Sequence, residues 1–120
     1  MMKTPTTLPG LGIDIVEIDR IHKLALKNRS FLTRIFTSEE IRYCSRKKKK
    51  WQHFAVRFAA KEAVWKALGA GFSIKNIFIR NDSQGKPEVH FTGKRNGRPR
   101  ILVSLTHSDR YAAAVALALK

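Results

Sequence analysis

The stretch RFAAKEAVWKALG, residues 57–69, decides how this chain folds. Alanine, leucine, glutamate and lysine are strong helix formers, and Gly69 is of a type that commonly ends a helix. At about 100° per residue, two charged pairs fall on separate stripes of the predicted helix. These pairs are Arg57 with Lys61 and Glu62 with Lys66, and the apolar side chains around them are Phe54, Phe58, Trp65, Ala59, Ala60, Ala63 and Ala67. The helix is therefore predicted to be largely buried, with a pocket shaped for Trp65.

Glu62 and Lys66 are the first candidates for chemistry. On a largely buried helix, a charge costs free energy unless it is paired or used. Pairing between these two residues at i,i+4 stabilises a helix by about 0.2–0.5 kcal/mol. A purely structural role for the pair therefore stays open. In the functional interpretation, Glu62 is a metal ligand and Lys66 holds a phosphate oxygen.

Asp14 is a second carboxylate in an apolar setting. Residues 11–18 (LGIDIVEI) are rich in β-branched types and predict a strand, whose alternation puts Gly12, Asp14 and Val16 on one face. Two such carboxylates in a basic chain call for a cation, and Mg²⁺ commonly uses one or two carboxylates with waters and phosphate oxygens. Alternatively, Asp14 only accepts hydrogen bonds from nearby backbone amides. The four histidines are scattered relative to one another and to Cys44, which argues against zinc.

The net charge of +15, from 24 Lys and Arg against nine acidic residues, predicts an anionic partner. Composition does not choose between nucleic acid, a phosphate-rich small molecule, an acidic protein and anionic lipid. A small nucleic-acid-binding or ribosome-associated protein is the main alternative to an enzyme, but it gives Asp14 and Glu62 no purpose. The single cysteine, the absence of a signal-peptide pattern and the lack of a membrane-length apolar run predict a cytoplasmic protein.

Helices and strands alternate along the rest of the chain, which predicts an α+β fold. Thr37 and Glu40 form a capping box that begins a helix, and five basic residues at 46–50 predict an exposed loop. The other predicted elements are a helix at 19–27, strands at 74–80, 88–92 and 101–106, and a basic loop at 93–99. Residues 111–119 are compatible with either a helix or a buried strand.

Two further side chains are candidate anion ligands. His107 ends a predicted strand beside Thr106 and Ser108, and these donors suit a phosphate or an adenine edge, although a lone histidine is more often structural. Arg57 contacts either an anion or a carboxylate elsewhere in the chain.

Three sequence blocks in this order resemble the holo-[acyl-carrier-protein] synthase family, the small phosphopantetheinyl transferases. The blocks are GLGIDIVEI at 10–18, RFAAKEAVWKALG at 57–69, and SLTHS at 104–108 followed by YAAA at 111–114. The resemblance covers residues 10–119. It implies an antiparallel sheet packed against a long central helix, and a single catalytic domain at 10–120 after a flexible extension at 1–9.

The resemblance also implies an activity. The 4′-phosphopantetheine arm of coenzyme A is moved to a serine of apo acyl carrier protein, with release of adenosine 3′,5′-bisphosphate, in support of fatty acid biosynthesis. Asp14 and Glu62 are implied to bind Mg²⁺ with the coenzyme's pyrophosphate, and Lys66 to assist them. The implied coenzyme-binding residues are Arg57, Lys66, Thr106 and His107, and the implied carrier-docking residues are Arg20, Leu24, Lys27 and Phe31.

Family members of this length are typically homotrimers with active sites between protomers, so this chain is expected to be incomplete alone, with no nucleic-acid or membrane partner. The sequence leaves the proton acceptor open between Glu62 and a hydroxide on the metal.

Overall fold

Five strands and four α-helices make up the computed structural model, which describes residues 9–69, 71–93 and 99–119. In chain order the elements are β1 (Gly10–Glu17), α1 (Ile18–Lys27), α2 (Phe31–Ile35), α3 (Ser38–Ser45), α4 (Lys50–Leu68), a 3-10 helix (Ile74–Asn76), β2 (Ile77–Asn81), β3 (Pro87–Phe91), β4 (Arg100–His107) and β5 (Tyr111–Leu119). The predicted α+β class is confirmed. Residues 1–8 of the predicted extension and most of the predicted loop at 93–99 lie outside the described residues.

The larger sheet has the strand order β1-β5-β4, and all its pairs are antiparallel. β5 is therefore the central strand, so residues 111–119, which were compatible with a helix or a buried strand, form a strand. Its alanines at 112, 114, 116 and 118 are buried, whereas Tyr111 and Val115 are exposed on the other face. Backbone hydrogen bonding to two neighbours outweighs the helix propensity of the alanines. β2 and β3 form a separate antiparallel hairpin.

α4 packs across the buried face of this sheet, as predicted, and begins seven residues before the quoted stretch. Gly69 ends it with φ at 79°, and its N–H donates to the carbonyl oxygen of Trp65 over 3.0 Å. β1 approaches the helix closely because Gly12 has no side chain. A Cβ there would lie 1.9 Å from the carbonyl oxygen of Ala63. This close contact positions Asp14, two residues further along β1, beside α4.

Two buried charges join the surrounding helices to α4. The capping box of Thr37 and Glu40 is present, as predicted, but Glu40 is also fully buried and accepts from Lys61 Nζ at 2.7 Å. Lys61 Nζ also donates to the carbonyl oxygen of Ile35, and the second carboxylate oxygen of Glu40 accepts from the Ile79 N–H at 3.0 Å. One ion pair therefore ties α2, α3 and β2 to α4.

Trp65 corrects a prediction. Its side chain is not enclosed in a core pocket, because the residue is 41% exposed near the end of α4. The indole Nε1–H donates to the carbonyl oxygen of Phe72 at 3.1 Å, which fixes one edge of the ring. The predicted strand at 74–80 also starts late, since Ile74–Asn76 form a 3-10 turn first. No helix among the residues described is long and apolar enough to cross a membrane.

Candidate active site

Asp14, Glu62 and Lys66 come together where β1 crosses α4. Lys66 Nζ lies 3.2 Å from Asp14 Oδ1 and donates to the carbonyl oxygen of Ile13 at 3.0 Å. Lys66 is therefore paired with the strand carboxylate, and the simple i,i+4 pair with Glu62 is not the ion pair that forms. The Asp14 side chain is 18% exposed and that of Lys66 is 47% exposed, so the cluster opens to solvent.

The surroundings of Glu62 disfavour the charged form of its carboxyl. Burial raises the pKa of its carboxyl above the ordinary value, the charge of Asp14 raises this pKa further, and Lys66 offsets part of the rise. Two carboxylates are thus close enough to repel each other, and one lysine only partly compensates them. A group perturbed in this way is a candidate functional residue.

This donor set fits a magnesium ion bound together with a phosphate. Among the described residues, no group of three or more His, Cys, Asp or Glu side chains could surround a metal. Asp14 and Glu62 would supply two hard oxygen ligands, and the remaining ligands would come from water and substrate, as is usual for Mg²⁺. The mutual repulsion of the two carboxylates is what a divalent cation would relieve.

Arg57 and His107 line a different cavity, at the N-terminal half of α4. It has a volume of about 400 Å³, and its walls come from α3, α4, the β2–β3 hairpin and β4. The basic side chains in its lining are His53, Arg57, Lys86 and His107, and the polar ones include Gln52 and Asn81. Asp14, Glu62 and Lys66 are not among its lining residues. The predicted site residues of one chain therefore fall into two groups.

The surroundings of the Arg57 guanidinium suit binding of an anion. Arg57 is 5% exposed, stacks on the Tyr43 ring at 4.1 Å, and has a buried Nε without a hydrogen-bond partner. Burial lowers the pKa of His53, and the charges of Arg57 and Lys47 lower it further. The cavity thus combines positive charge with one unpartnered donor, Arg57 Nε, which together suit a phosphate group.

The side chains of Thr106 and His107 lie on opposite faces of the sheet, although the residues are adjacent in sequence. Side chains alternate along β4, so His107 points to the α4 side, where its Nδ1 lies 2.9 Å from Gln52 Nε2. Thr106 is exposed on the opposite face of the sheet with Leu102 and Ser104. The structure therefore separates two residues that the sequence prediction grouped together.

The predicted carrier-docking residues are all on α1 and at the start of α2. Arg20 and Lys27 are exposed, and Leu24 and Phe31 are half-buried. The Phe31 ring lies 6.2 Å from that of Phe58 on α4. This combination of exposed cations and accessible apolar side chains is suited to an acidic, amphipathic partner surface.

Sequence reasoning missed the other lining residues of the Arg57 cavity. His53 precedes Arg57 by four positions, about one helical turn, so its spacing to Arg57 was an available signal. Lys86 and Asn81 come from the hairpin, and nothing local in the sequence connects them to α4.

One cluster pairs two carboxylates and the other gathers cations around a cavity, and both arrangements suit a phosphate-bearing ligand. Residues 10–116 match the 4′-phosphopantetheinyl transferase superfamily, and the chain belongs to that family. This membership supports a transferase and gives no support to the nucleic-acid-binding alternative.

Individual relatives and solved structures show in more detail what this chain is similar to. The chain is 45% identical to a holo-[acyl-carrier-protein] synthase of Geotalea daltonii, over 88% of this chain and 94% of the relative. Among solved structures, it resembles holo-[acyl-carrier-protein] synthase from Neisseria meningitidis with a TM-score of 0.83 and 35% identity, over 92% of this chain and 98% of the other. The Bacillus anthracis enzyme in complex with CoA (3′,5′-ADP) follows with a TM-score of 0.78 and 34% identity, over 92% and 96% of the two chains. The predicted fold and family are thereby confirmed.

Proposed function

We propose that this protein transfers the 4′-phosphopantetheine arm of coenzyme A to a serine of apo acyl carrier protein and releases adenosine 3′,5′-bisphosphate, in support of fatty acid biosynthesis. The observation that carries this proposal is the Asp14, Glu62 and Lys66 cluster, in a chain whose relatives are holo-[acyl-carrier-protein] synthases. The attacked atom is a phosphorus with negatively charged oxygens, so positioning and charge neutralisation dominate the catalysis.

Each residue of the cluster has a distinct task in this proposal. Asp14 and Glu62 would hold Mg²⁺, which when bound would neutralise the pyrophosphate and the charge on the leaving phosphate. Lys66 would turn from Asp14 to a phosphate oxygen once the carboxylates are occupied. The serine proton would go either to Glu62 or to a water-derived base beside it.

The Arg57 cavity would bind another anionic part of the coenzyme. The unpartnered Arg57 Nε, together with Lys86 and His107 in the lining, supports a phosphate there. His53, at the wall of this cavity, has a lowered pKa and is neutral at higher pH. As the pH falls, protonation of His53 adds positive charge, and binding of an anion would strengthen.

A homotrimer would bring the two clusters together. The sheet face turned away from α4 carries six of the eight large apolar side chains that are exposed among the described residues: Leu11, Ile13, Ile15, Leu102, Tyr111 and Val115. An apolar surface of this extent on a small protein usually marks a protein interface. Its continuity across β1, β5 and β4 favours further copies of this chain as the occupant. Thr106 lies on the same face, and would reach the coenzyme at such an interface.

The direct test combines wild-type protein with coenzyme A, Mg²⁺ and apo acyl carrier protein, and weighs the carrier by mass spectrometry. The wild type is expected to add the phosphopantetheinyl mass. Asp14→Asn and Glu62→Gln are each expected to abolish transfer and leave the fold intact, and Glu88→Gln on β3 serves as the matched surface control. An unmodified carrier with wild-type protein, or normal turnover in either site variant, contradicts the proposal.

A mixing experiment tests whether the active site is shared. Asp14→Asn and Arg57→Met, each inactive alone, are expected to regain part of the activity when they are dissociated and reassembled together. Each variant reassembled with itself is the control. Val115→Lys on the apolar face is expected to give monomers in analytical ultracentrifugation and to lose transfer. A Val115→Lys protein that stays trimeric would exclude this face as the interface.

Carrier recognition is proposed for Arg20, Leu24, Lys27 and Phe31. Arg20→Glu is expected to raise the KM for the carrier and to leave the KM for coenzyme A unchanged, because it places a like charge opposite an acidic partner. The free thiol of Cys44, buried in the core, agrees with the proposed location in the reducing cytoplasm.

A further inference from the structure

Tyr43, on α3, is the side chain that holds Arg57 in its cavity. The guanidinium carbon of Arg57 lies 4.1 Å from the centroid of the Tyr43 ring, well within the ~6 Å reach of a cation–π contact. Arg57 is 5% exposed, and none of the ion pairs within residues 9–69, 71–93 and 99–119 involves it. A buried charge without a partner is costly. The aromatic ring is the compensating group that the structure supplies.

The Tyr43 ring is itself fixed by contacts from several elements. Its hydroxyl accepts a hydrogen bond from Asn81 Nδ2 on β2 at 3.0 Å. The ring of His53 on α4 meets it nearly edge-on, with 6.0 Å between the ring centroids, and Lys47 Nζ lies 4.7 Å from the Tyr43 centroid. The position of the ring, and with it that of the Arg57 guanidinium, is therefore set jointly by α3, α4 and the β2–β3 hairpin.

An aromatic ring and a carboxylate hold an arginine with different consequences for an anion. A carboxylate accepts the guanidinium N–H groups and neutralises the charge, so an incoming phosphate would have to displace it. A ring contacts the face of the guanidinium and leaves the donors in its plane, and its positive charge, available. The buried Arg57 Nε, which has no hydrogen-bond partner, is such a donor.

We propose that Tyr43 is a positioning residue, which holds the Arg57 guanidinium in the cavity with its donors free for a phosphate of coenzyme A. Asn81 in turn fixes Tyr43. The inference rests on the proposed function, in which Arg57 binds an anionic part of the coenzyme. The rival role for Tyr43 is direct contact with the ligand. That role predicts a loss of binding that does not depend on Arg57, so the two roles can be separated.

A double-mutant cycle in ligand binding makes this separation. The probe is adenosine 3′,5′-bisphosphate with Mg²⁺, titrated into the full chain by calorimetry. Tyr43→Leu is expected to weaken binding by about 5-fold to 30-fold, and Tyr43→Phe, which keeps the ring, by less than about 5-fold. In protein that already carries Arg57→Met, Tyr43→Leu is expected to cause no further loss. An equal loss with and without Arg57→Met, or wild-type binding by Tyr43→Leu, overturns the inference.

A second cycle uses milder substitutions, and it decides the matter where Tyr43→Leu unfolds or Arg57→Met fails to bind the probe. Asn81→Ala is expected to weaken binding of the same probe by about 2-fold to 5-fold, because the ring loses its hydrogen-bonded anchor. In protein that carries Tyr43→Phe, which has no hydroxyl, Asn81→Ala is expected to have no effect. An equal loss in both backgrounds, or no loss in either, overturns the inference.

Kinetics add a readout that general destabilisation would not reproduce. Tyr43→Leu is expected to raise the KM for coenzyme A and to leave kcat and the KM for the carrier unchanged, because the Arg57 cavity lies apart from the carboxylate cluster. The matched control is Phe78→Leu, which removes another ring under an arginine, Arg80 at 5.2 Å, outside the cavity lining. A fall in kcat alone, or an equal rise in KM in the control, overturns the inference. If the wild type binds the probe but does not modify the carrier, the proposed function fails and the two binding cycles still test Tyr43.

Discussion

Removal of the Lys61 ammonium tests the buried ion pair that joins three elements to α4. Lys61 and Glu40 are both fully buried, with 2.7 Å between Nζ and Oε1. Lys61→Met keeps most of the side-chain volume and leaves the Glu40 carboxylate in the core with only the N–H donors of Thr37 and Ile79 and the Thr37 hydroxyl. Its charge is then uncompensated.

The size of the effect follows from the burial. Breaking a buried pair by removing one partner costs about 3–5 kcal/mol. The entropy of unfolding is about 2.1 cal/mol/K per residue, so for 120 residues it is about 250 cal/mol/K. One kcal/mol then corresponds to about 4 °C in Tm, and Lys61→Met is expected to lower the Tm by about 12–20 °C.

Thermal unfolding followed by circular dichroism measures this shift, with three further variants for comparison. Lys23→Met removes a 2.9 Å ion pair with Asp19 whose side chains are 72% and 65% exposed, and is expected to change the Tm far less. The other two are Glu40→Gln alone and the double variant Glu40→Gln with Lys61→Met. The double variant removes both charges and is expected to be more stable than the sum of the two single losses predicts.

Two results would refute the reasoning. A Lys61→Met protein within about 1 kcal/mol of wild type would mean that the carboxylate finds compensation without the lysine. Strictly additive losses in the double variant would mean that the two charges are not coupled. Burial lowers the pKa of Lys61, and the nearby Glu40 charge opposes that fall, so both charges matter for its state.

Three further changes have defined outcomes. The pKa of Glu62 is raised in the folded state, so the protein loses stability as the pH rises above 4.5, the ordinary pKa of this carboxyl. Glu62→Gln is therefore expected to raise the Tm of metal-free protein at pH 7.5 but not at pH 4, measured in melts with a chelator. A lower Tm at pH 7.5 would count against this. Gly12→Ala should lower the Tm strongly, since its Cβ would lie 1.9 Å from the Ala63 carbonyl oxygen, whereas Gly85→Ala meets no atom within 4 Å and is limited to the strain of its positive φ. Transfer should slow as salt rises from low to physiological strength, chiefly in kcat/KM, because both substrates are anionic and the chain carries a charge of +15; a constant kcat/KM would contradict this.

The carboxylate pair was predictable because it depends on two short periodicities. Alternation along β1 turns Asp14 to the helix, and the helical period turns Glu62 away from Arg57. The glycine at position 12 and the alanine at 63 are the sequence signal that the two elements approach closely. Alternation also contained the information that Thr106 and His107 point to opposite faces, although the prediction grouped them.

The partners of Lys61 were not predicted, and the exposure of Trp65 was predicted wrongly, because the surroundings of both residues are not local. Lys61 is neutralised by a residue 21 positions earlier, and its carbonyl partner comes from α2. Nothing in the helical period reveals that three elements converge there. Trp65 has an apolar position on the helix, but the segment after α4 covers only one edge of its ring. Burial at a helix end depends on the following chain, which periodicity does not describe.

The proposal that the active site is shared between copies depends on the geometry of α4. Arg57 and Glu62 are five residues apart, so they point about 140° away from each other around a helix about 10 Å thick. One way around the helix is filled by Lys61 and Phe58, which pack against α2, and the other is filled by the alanines that face the sheet. A coenzyme that contacted both groups within one chain would have to pass through packed side chains. Under that proposal, the Arg57 cavity of one copy would complete the carboxylate cluster of another.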